Sequence, residues 1–300
     1  MNGIIIADKP AGYTSFDIVA VMRKLTGEKK IGHTGTLDPM ATGVLPLLLG
    51  RAAKAADLLS DTGKTYIAGF KAGMKTDTGD ITGKTIDSTD CLPGKNLLAE
   101  RIKSFEGEIY QLPPMYSAVS VNGQRLYKLA RKGIEIDREK RKIFIYDIKL
   151  IGYSEVDGTG MIEVTCSKGT YIRTLIEDIL SSTGSLGVMT SLRRTQACGF
   201  SESEAVTLDD LKDLSVKGEI EARVRPVDTL FFDYPEVVAT SAQSVRFANG
   251  GSLDIDRLKI KDRSFDRFRI YSPDNVFLGL GETDKKRSAI KVLKLFHIGG

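Results

Sequence analysis

The stretch Gly32-His33-Thr34-Gly35-Thr36-Leu37-Asp38-Pro39-Met40-Ala41-Thr42-Gly43-Val44-Leu45-Pro46 decides the reading of this chain. From Gly32 to Thr42 it has neither the 3.6-residue apolar period of a helix nor the alternation of a strand, and an apolar run then opens at Val44. The pattern predicts an irregular loop that holds Asp38 against a buried wall, with glycines and Pro39 as its turn residues. An aspartate before proline commonly starts a turn or caps a short helix. Here the whole string, with one of the chain's two histidines, His33, five residues before the acid, marks a candidate site.

Working outward, Gly3 to Ala7 reads as a strand and Phe16 to Leu25 as a helix with Ser15 as its N-cap. Ala52 to Leu59 and Leu97 to Phe105 read as helices. Tyr66 to Met74, Gly107 to Leu112, Ser117 to Val121, Lys142 to Gly152 and Met161 to Cys166 have the β-branched and aromatic content of strands. Helices follow at Tyr171 to Ser181, ending before Gly184, and at Leu208 to Leu214 behind Thr207. A boundary is expected between Arg225 and Tyr234, where Pro226 and Pro235 flank Phe231-Phe232. Beyond it, Val237 to Ala239, Phe268 to Tyr271, Val276 to Gly281 and Ala289 to Leu295 read as the strands of a small β-rich unit, separated by Gly250-Gly251 and charged turns.

Composition bounds the class. The 300 residues, 41% hydrophobic and 27% charged, can bury a sizeable core and suit one large domain plus a smaller one. No run of about 18 apolar residues is present to span a bilayer, and no charged-then-apolar leader opens the chain, so a cytoplasmic protein is expected. Cys91, Cys166 and Cys198 are odd in number and far apart, and are expected to be buried small apolar side chains rather than disulfides or zinc ligands. There is no G-x-G-x-x-G and no P-loop, so no nucleotide cofactor is indicated. Asp77-Thr78-Gly79-Asp80-Ile81-Thr82-Gly83 fails the EF-hand spacing; it reads as a polar turn, with no metal.

Charge is uneven. Between Arg125 and Lys142 eight basic residues stand against three acidic ones, a local +5 that exceeds the +4 of the whole chain. With Tyr116 and Tyr127 interleaved, the segment has the make-up of a phosphate-holding patch, while a charge run of this kind also suits a solvated face. From Arg225 onward 13 basic and 10 acidic residues leave a small excess, enough for auxiliary contact.

Several strings resemble one family. The Gly32 to Pro46 segment is similar to the active-site motif of the TruB family of tRNA pseudouridine synthases. Ile4-Ile5-Ile6-Ala7-Asp8-Lys9-Pro10-Ala11-Gly12-Tyr13-Thr14-Ser15 resembles its opening strand and Lys-Pro turn, Lys64-Thr65-Tyr66 its tyrosine segment, and Ser167-Lys168-Gly169-Thr170-Tyr171-Ile172-Arg173-Thr174-Leu175 its arginine segment. Leu192-Arg193-Arg194-Thr195 resembles its late strand. The motifs stand in the family's order across about the first two thirds of the chain.

The resemblance implies an α/β (α+β) pseudouridine synthase fold with a mixed, mainly antiparallel sheet and a site in its central cleft. It implies a catalytic domain over residues 1–232, with an RNA-binding thumb inserted at about 116–142, and a PUA-like RNA-binding domain over 233–300. The implied activity is isomerisation of uridine to pseudouridine at position 55 in the T-loop of tRNA, by base flipping and without a cofactor or metal. Asp38 would be the nucleophile, Arg173 the cation that keeps its carboxylate ionised through a planar fork, and Tyr66 the ring and hydroxyl against the flipped base. His33 would enter the RNA near the flipped bases; Lys9 and Lys64 would contact phosphates or support the site. Arg125, Lys128, Arg131 and Lys132 would grip the backbone. The expected partner is the tRNA T-arm alone, bound by a monomer that needs no protein partner. A guide-RNA-dependent enzyme of dyskerin type and a non-catalytic RNA-binding or tRNA-folding protein are the competing readings.

Overall fold

The computed structural model describes residues 1–59, 63–117, 119–121, 123–260, 262, 264–286 and 288–297. Its first half runs β1 (Gly3–Lys9), α1 (Ser15–Thr26), β2 (Ile31–His33), β3 (Thr42–Leu49), a 3₁₀ segment (Gly50–Leu58), β4 (Lys64–Ala72), β5 (Met74–Thr76), β6 (Thr85–Ser88), α2 (Lys95–Ser104) and β7 (Gly107–Gln111). The basic segment carries β8 (Ser120–Val121), β9 (Gln124–Arg125) and α3 (Leu126–Ala130). Then come β10 (Arg141–Tyr153), β11 (Thr159–Cys166), α4 (Ile172–Ser182), β12 (Gly187–Ala197), β13 (Phe200–Ser201), β14 (Val206–Thr207) and α5 (Leu208–Val216). The tail holds β15 (Glu236–Val238), α6 (Ser241–Ala248), β16 (Leu253–Asp254), β17 (Arg267–Tyr271), β18 (Phe277–Asp284) and β19 (Ala289–Leu295).

The main sheet has the order β14-β1-β3-β12-β4-β11-β10-β7, with β2 added beside β3 and β13 beside β12. Only β1–β14 and β3–β12 are parallel, so the sheet is mixed and mainly antiparallel. Because side chains alternate across a strand, β1 and β3 feed two cores at once. Ile5, Ala7, Leu45, Leu47 and Leu49 face α1 and α5, whereas Ile4, Ile6, Val44 and Leu48 face the 3₁₀ segment, Phe231 and the tail residues Leu280 and Phe296. Burial on both faces is why Val44 to Leu49 reads as a continuous apolar run. The other half of the sheet, from β4 to β10, packs Phe70, Ile143, Ile145, Ile162 and Val164 on Leu98 and Ile102 of α2 and on Leu175, Ile176 and Ile179 of α4.

The tail forms a second sheet, β15-β17-β18-β19-β16, around Phe247, Phe268, Ile270, Leu278 and Ile290, a curled PUA-like half-barrel. It also contains α6, which the strand pattern did not announce; Thr240 opens it with a capping box to Gln243.

Other expectations needed correction. Helix α1 is capped by Thr14, not Ser15: the Thr14 hydroxyl and the Asp17 carboxylate satisfy each other's backbone N–H groups. Ser15 is thereby free to turn inward, where its Oγ accepts the Leu37 N–H at 2.9 Å and ties the Asp38 loop to the helix. The segment after β3 is 3₁₀ rather than α. Of the strand expected over Ser117 to Val121 only Ser120–Val121 is extended, and residue 118 lies outside the described residues. Cys166 and Cys198 are buried, but Cys91 is exposed. Among the described residues no helix is long and apolar enough to cross a membrane.

Candidate active site

The Asp38 loop is an excursion between two paired strands. Strand β2 runs antiparallel to β3, with Ile31 opposite Leu49 and His33 opposite Leu47, and the chain leaves this ladder at Thr34 to return at Thr42. Leu37 and Ala41 are buried anchors on either side of Asp38. The loop closes on itself through the Ala41 N–H, which donates to the Asp38 carbonyl at 3.0 Å. Return to the sheet demands Gly43, whose φ is +103° and where a Cβ would sit 2.2 Å from the Arg194 carbonyl oxygen.

Lys9 locks the far side. Its Nζ donates to the carbonyls of Pro10 (2.9 Å), Pro39 (3.3 Å) and Ala41 (2.5 Å), and the side chain is wholly buried. Burial lowers its pKa to about 8, with Asp38 acting in the opposite sense. Of the two roles considered for Lys9, phosphate contact is corrected by this placement: the ammonium is spent on backbone carbonyls beneath the loop.

Arg173 is the second residue of α4, one residue inside its start. Gln111, at the end of β7, clamps that start: its Oε1 accepts the Tyr171 N–H at 2.7 Å and its Nε2 donates to the Tyr171 carbonyl at 3.0 Å. The Arg173 side chain, only 6% exposed, sends Nε to Asp38 Oδ2 at 3.0 Å. Nη1 donates to the Thr78 carbonyl and Nη2 to the Tyr116 carbonyl, each at 2.8 Å. The planar fork expected to grip the carboxylate therefore grips two carbonyls, and the acid is met by the single Nε.

This arrangement also corrects the electrostatics. Asp38, with its side chain 35% exposed, has its pKa raised, because burial outweighs the Arg173 charge and Asp80 adds a repulsive one. Asp80, whose Oδ2 lies 3.9 Å from Arg173 Nη1, belongs to the segment read as a polar turn. It is a turn, with Asp80 Oδ1 accepting from the Thr82 N–H at 3.0 Å, but it supplies one wall of the site. Sequence reasoning missed that contribution.

Tyr66 is buried in the cluster that includes Leu37 and Leu192. Burial raises its phenol pKa, Arg194 opposes that, and nearby Asp38 adds to it. His33 packs edge-on against exposed Phe16, ring centroids 5.6 Å apart, with Nδ1 buried and without a hydrogen-bond partner among the described residues. Burial and the Arg194 charge push its pKa below the ordinary value, which favours the neutral ring. Lys64 lies under Gly35, and burial followed by Arg194 lowers its pKa as well.

The basic segment is brought to the site through Tyr116, whose carbonyl holds Arg173. Within it Arg125, Lys128, Arg131 and Lys132 are exposed, and the Arg131 guanidinium lies 5.6 Å from the Tyr127 ring centroid. Arg138 and Lys142 are committed to Glu135 and Glu108. Arg194, in the motif read only as a late strand, is the other functional candidate that sequence reasoning missed. The i, i+2 relation to buried Leu192 was the available signal, since alternation puts both on one face.

The mixed sheet with this Asp–Arg pair at its centre belongs to the pseudouridylate synthase class. A family profile described as TruB family pseudouridylate synthase (N terminal domain) matches residues 23–172, and one described as tRNA pseudouridylate synthase B C-terminal domain matches 173–231. The chain belongs to the TruB family. It is 41% identical to the tRNA pseudouridine synthase B of Clostridium kluyveri over 99% of this chain and 100% of that one. It is 37% identical to that of Hydrogenovibrio crunogenus, over 99% of this chain and 95% of the relative. Among solved structures it resembles a chain of a Cbf5-Nop10-Gar1 complex, with a TM-score of 0.75, 27% identity, and coverage of 98% of this chain and 85% of that one.

Proposed function

We propose that this protein is a tRNA pseudouridine synthase that isomerises uridine 55 in the T-loop, with Asp38 as the nucleophile. The observation that carries the reading is the carboxylate of Asp38, still reachable at the mouth of the site and held 3.0 Å from the buried Arg173 guanidinium. The reaction breaks C1′–N1, rotates the uracil and joins C5 to C1′, so the protein must supply a nucleophile, a place to turn the base and a route for one proton from C5 to N1. Arg173 orients Asp38 and opposes the burial that disfavours its ionised form. Tyr66 faces the base, where stacking is worth about 1–3 kcal/mol, and its hydroxyl handles the proton.

A T-loop uridine is paired and stacked, so it must be flipped out to reach Asp38. His33, packed beside exposed Phe16, is assigned to the space the flipped base leaves, and Lys64 to the adjoining backbone. Arg125, Lys128, Arg131 and Lys132 are assigned to phosphates. On this reading residues 1–232 are the catalytic domain, 116–142 its thumb and 233–300 an auxiliary RNA-binding domain. The protein acts in the cytoplasm as a monomer on the T-arm without a protein partner. End-to-end likeness to relatives named tRNA pseudouridine synthase B favours this over guide-RNA dependence. Purified protein incubated with an unmodified T-arm minihelix, with no guide RNA, should form pseudouridine at position 55 only. No product without an added ribonucleoprotein would favour the guide-dependent reading.

A further inference from the structure

Arg194 is fully buried, yet no carboxylate pairs with it among the described residues. An unpaired buried guanidinium is costly, so its surroundings must use it. The backbone of Arg194 lies between the two strands that carry the site: it is opposite Gly43 on β3 and opposite Tyr66 on β4. Its side chain bonds both ends of the Asp38 loop, Nε donating to the Val44 carbonyl at 2.7 Å and Nη2 to the Gly35 carbonyl at 3.2 Å. Nη1 is buried and has no hydrogen-bond partner among the described residues. Lys64, on the same strand as Tyr66, brings a second cation beside it under Gly35.

We infer that Arg194 is a positioning residue that couples the Asp38 loop to Tyr66, its spare N–H and charge supporting the Tyr66 oxygen while that oxygen takes the proton from C5. The inference rests on the role given to Tyr66 in the proposed reaction. As Asp38 bonds to C1′, N1 leaves with the pair of the broken C1′–N1 bond and takes the proton of the Tyr66 hydroxyl; C5 then bonds to C1′ as the Asp38–C1′ bond breaks, the C5–H pair returns to the ring and its proton passes to the Tyr66 phenolate. The proton given to N1 is replaced by the one from C5, so none is gained or lost overall and both Asp38 and Tyr66 are regenerated. Negative charge on a buried phenol is strongly disfavoured, and a cation fixed on the neighbouring strand offsets that cost. The direction of the Arg194 effect on Tyr66 agrees, since its charge opposes the burial that raises the phenol pKa. The same guanidinium holds Gly35 and Val44, so the nucleophile and the proton acceptor are set from one group.

The test is single-turnover pseudouridine formation with T-arm RNA carrying protium or deuterium at uridine C5. It compares wild type with Arg194→Met and Arg194→Lys, with Tyr66→Phe as a control. Arg194→Met should slow turnover by ~10²-fold, the low end of what a positioned proton transfer contributes. The deuterium effect should rise above the wild-type value, because C5–H loss becomes limiting. Arg194→Lys should recover part of the rate. A purely structural arginine would slow both isotopes equally, so a slower variant with an unchanged isotope effect overturns the inference, as does a wild-type rate. If Arg194→Met does not fold, the isotope effect in Arg194→Lys decides. A wild-type rate in Tyr66→Phe would instead remove the Tyr66 role on which the inference rests.

Discussion

Replacing Arg173 with lysine keeps a positive charge at the centre of the site and removes its geometry. The guanidinium makes three contacts at once: Asp38 Oδ2 at 3.0 Å, and the Thr78 and Tyr116 carbonyls at 2.8 Å each. A single ammonium on a flexible stem cannot span all three. If it keeps Asp38, the two carbonyls lose a charged donor in a place where the side chain is 6% exposed and water is scarce. Hydrogen bonds to charged groups contribute about 1.5–3 kcal/mol each, so the loss of one to two of them should lower stability by about 1.5–6 kcal/mol. If it keeps the carbonyls, Asp38 loses its orienting partner, and misplacement of a reacting group by about 1 Å can cost ~10²-fold. The second route predicts a single-turnover rate down ~10²-fold, and the first a less stable protein in which Asp38 keeps its partner. Affinity for the T-arm minihelix should change little, because the phosphate contacts lie elsewhere. Thermal melting, filter binding and single-turnover kinetics separate the three quantities. A near-wild-type rate together with an unchanged melting temperature in Arg173→Lys would refute the orienting role.

Two further outcomes follow from charge. Because burial raises the Asp38 pKa, the rate should fall as pH drops through a value above the ordinary carboxylate pKa of about 4. Asp80→Asn, which removes the repulsive neighbour, should move that limb to lower pH; an unmoved limb would separate Asp80 from the site. In stability terms a carboxyl with a raised folded pKa favours the native state at low pH and loses that contribution as pH rises through the folded value. Neutralising Lys128, Arg131 and Lys132 together should reduce the slope of log affinity against log salt by about 2–3, at roughly 0.7–0.9 per phosphate contact, while chemistry at saturating RNA survives. An unchanged slope would make this segment a solvated face.

Much of this architecture was legible because burial writes itself into apolar patterns. Strand β19 falls at Ala289–Leu295 as read, and β1 and β11 each run two residues past their readings at one end. Asp38 could be singled out since an acid in an unpatterned glycine-rich loop before an apolar run has few structural uses. What the sequence hid depended on contacts between distant segments. The choice of Thr14 over Ser15 as cap depends on Leu37 needing an acceptor, 22 residues away. The Asp80 turn looks like any polar turn until α4 brings Arg173 to it. Lys9 looks like a surface cation until three loop carbonyls converge on its ammonium. The raised Asp38 pKa needed the balance of burial against charge, which no motif carries.

The central claim is that Asp38 is the nucleophile of a uridine isomerisation, and Asp38→Asn tests it most directly. The substitution keeps the shape of the side chain and can still accept from Arg173 Nε, so the loop and the RNA contacts should persist. Assayed with an unmodified T-arm minihelix at enzyme concentrations that saturate binding, the variant should bind RNA with nearly the wild-type affinity and form no pseudouridine. Turnover by a homogeneous Asp38→Asn preparation would contradict the account.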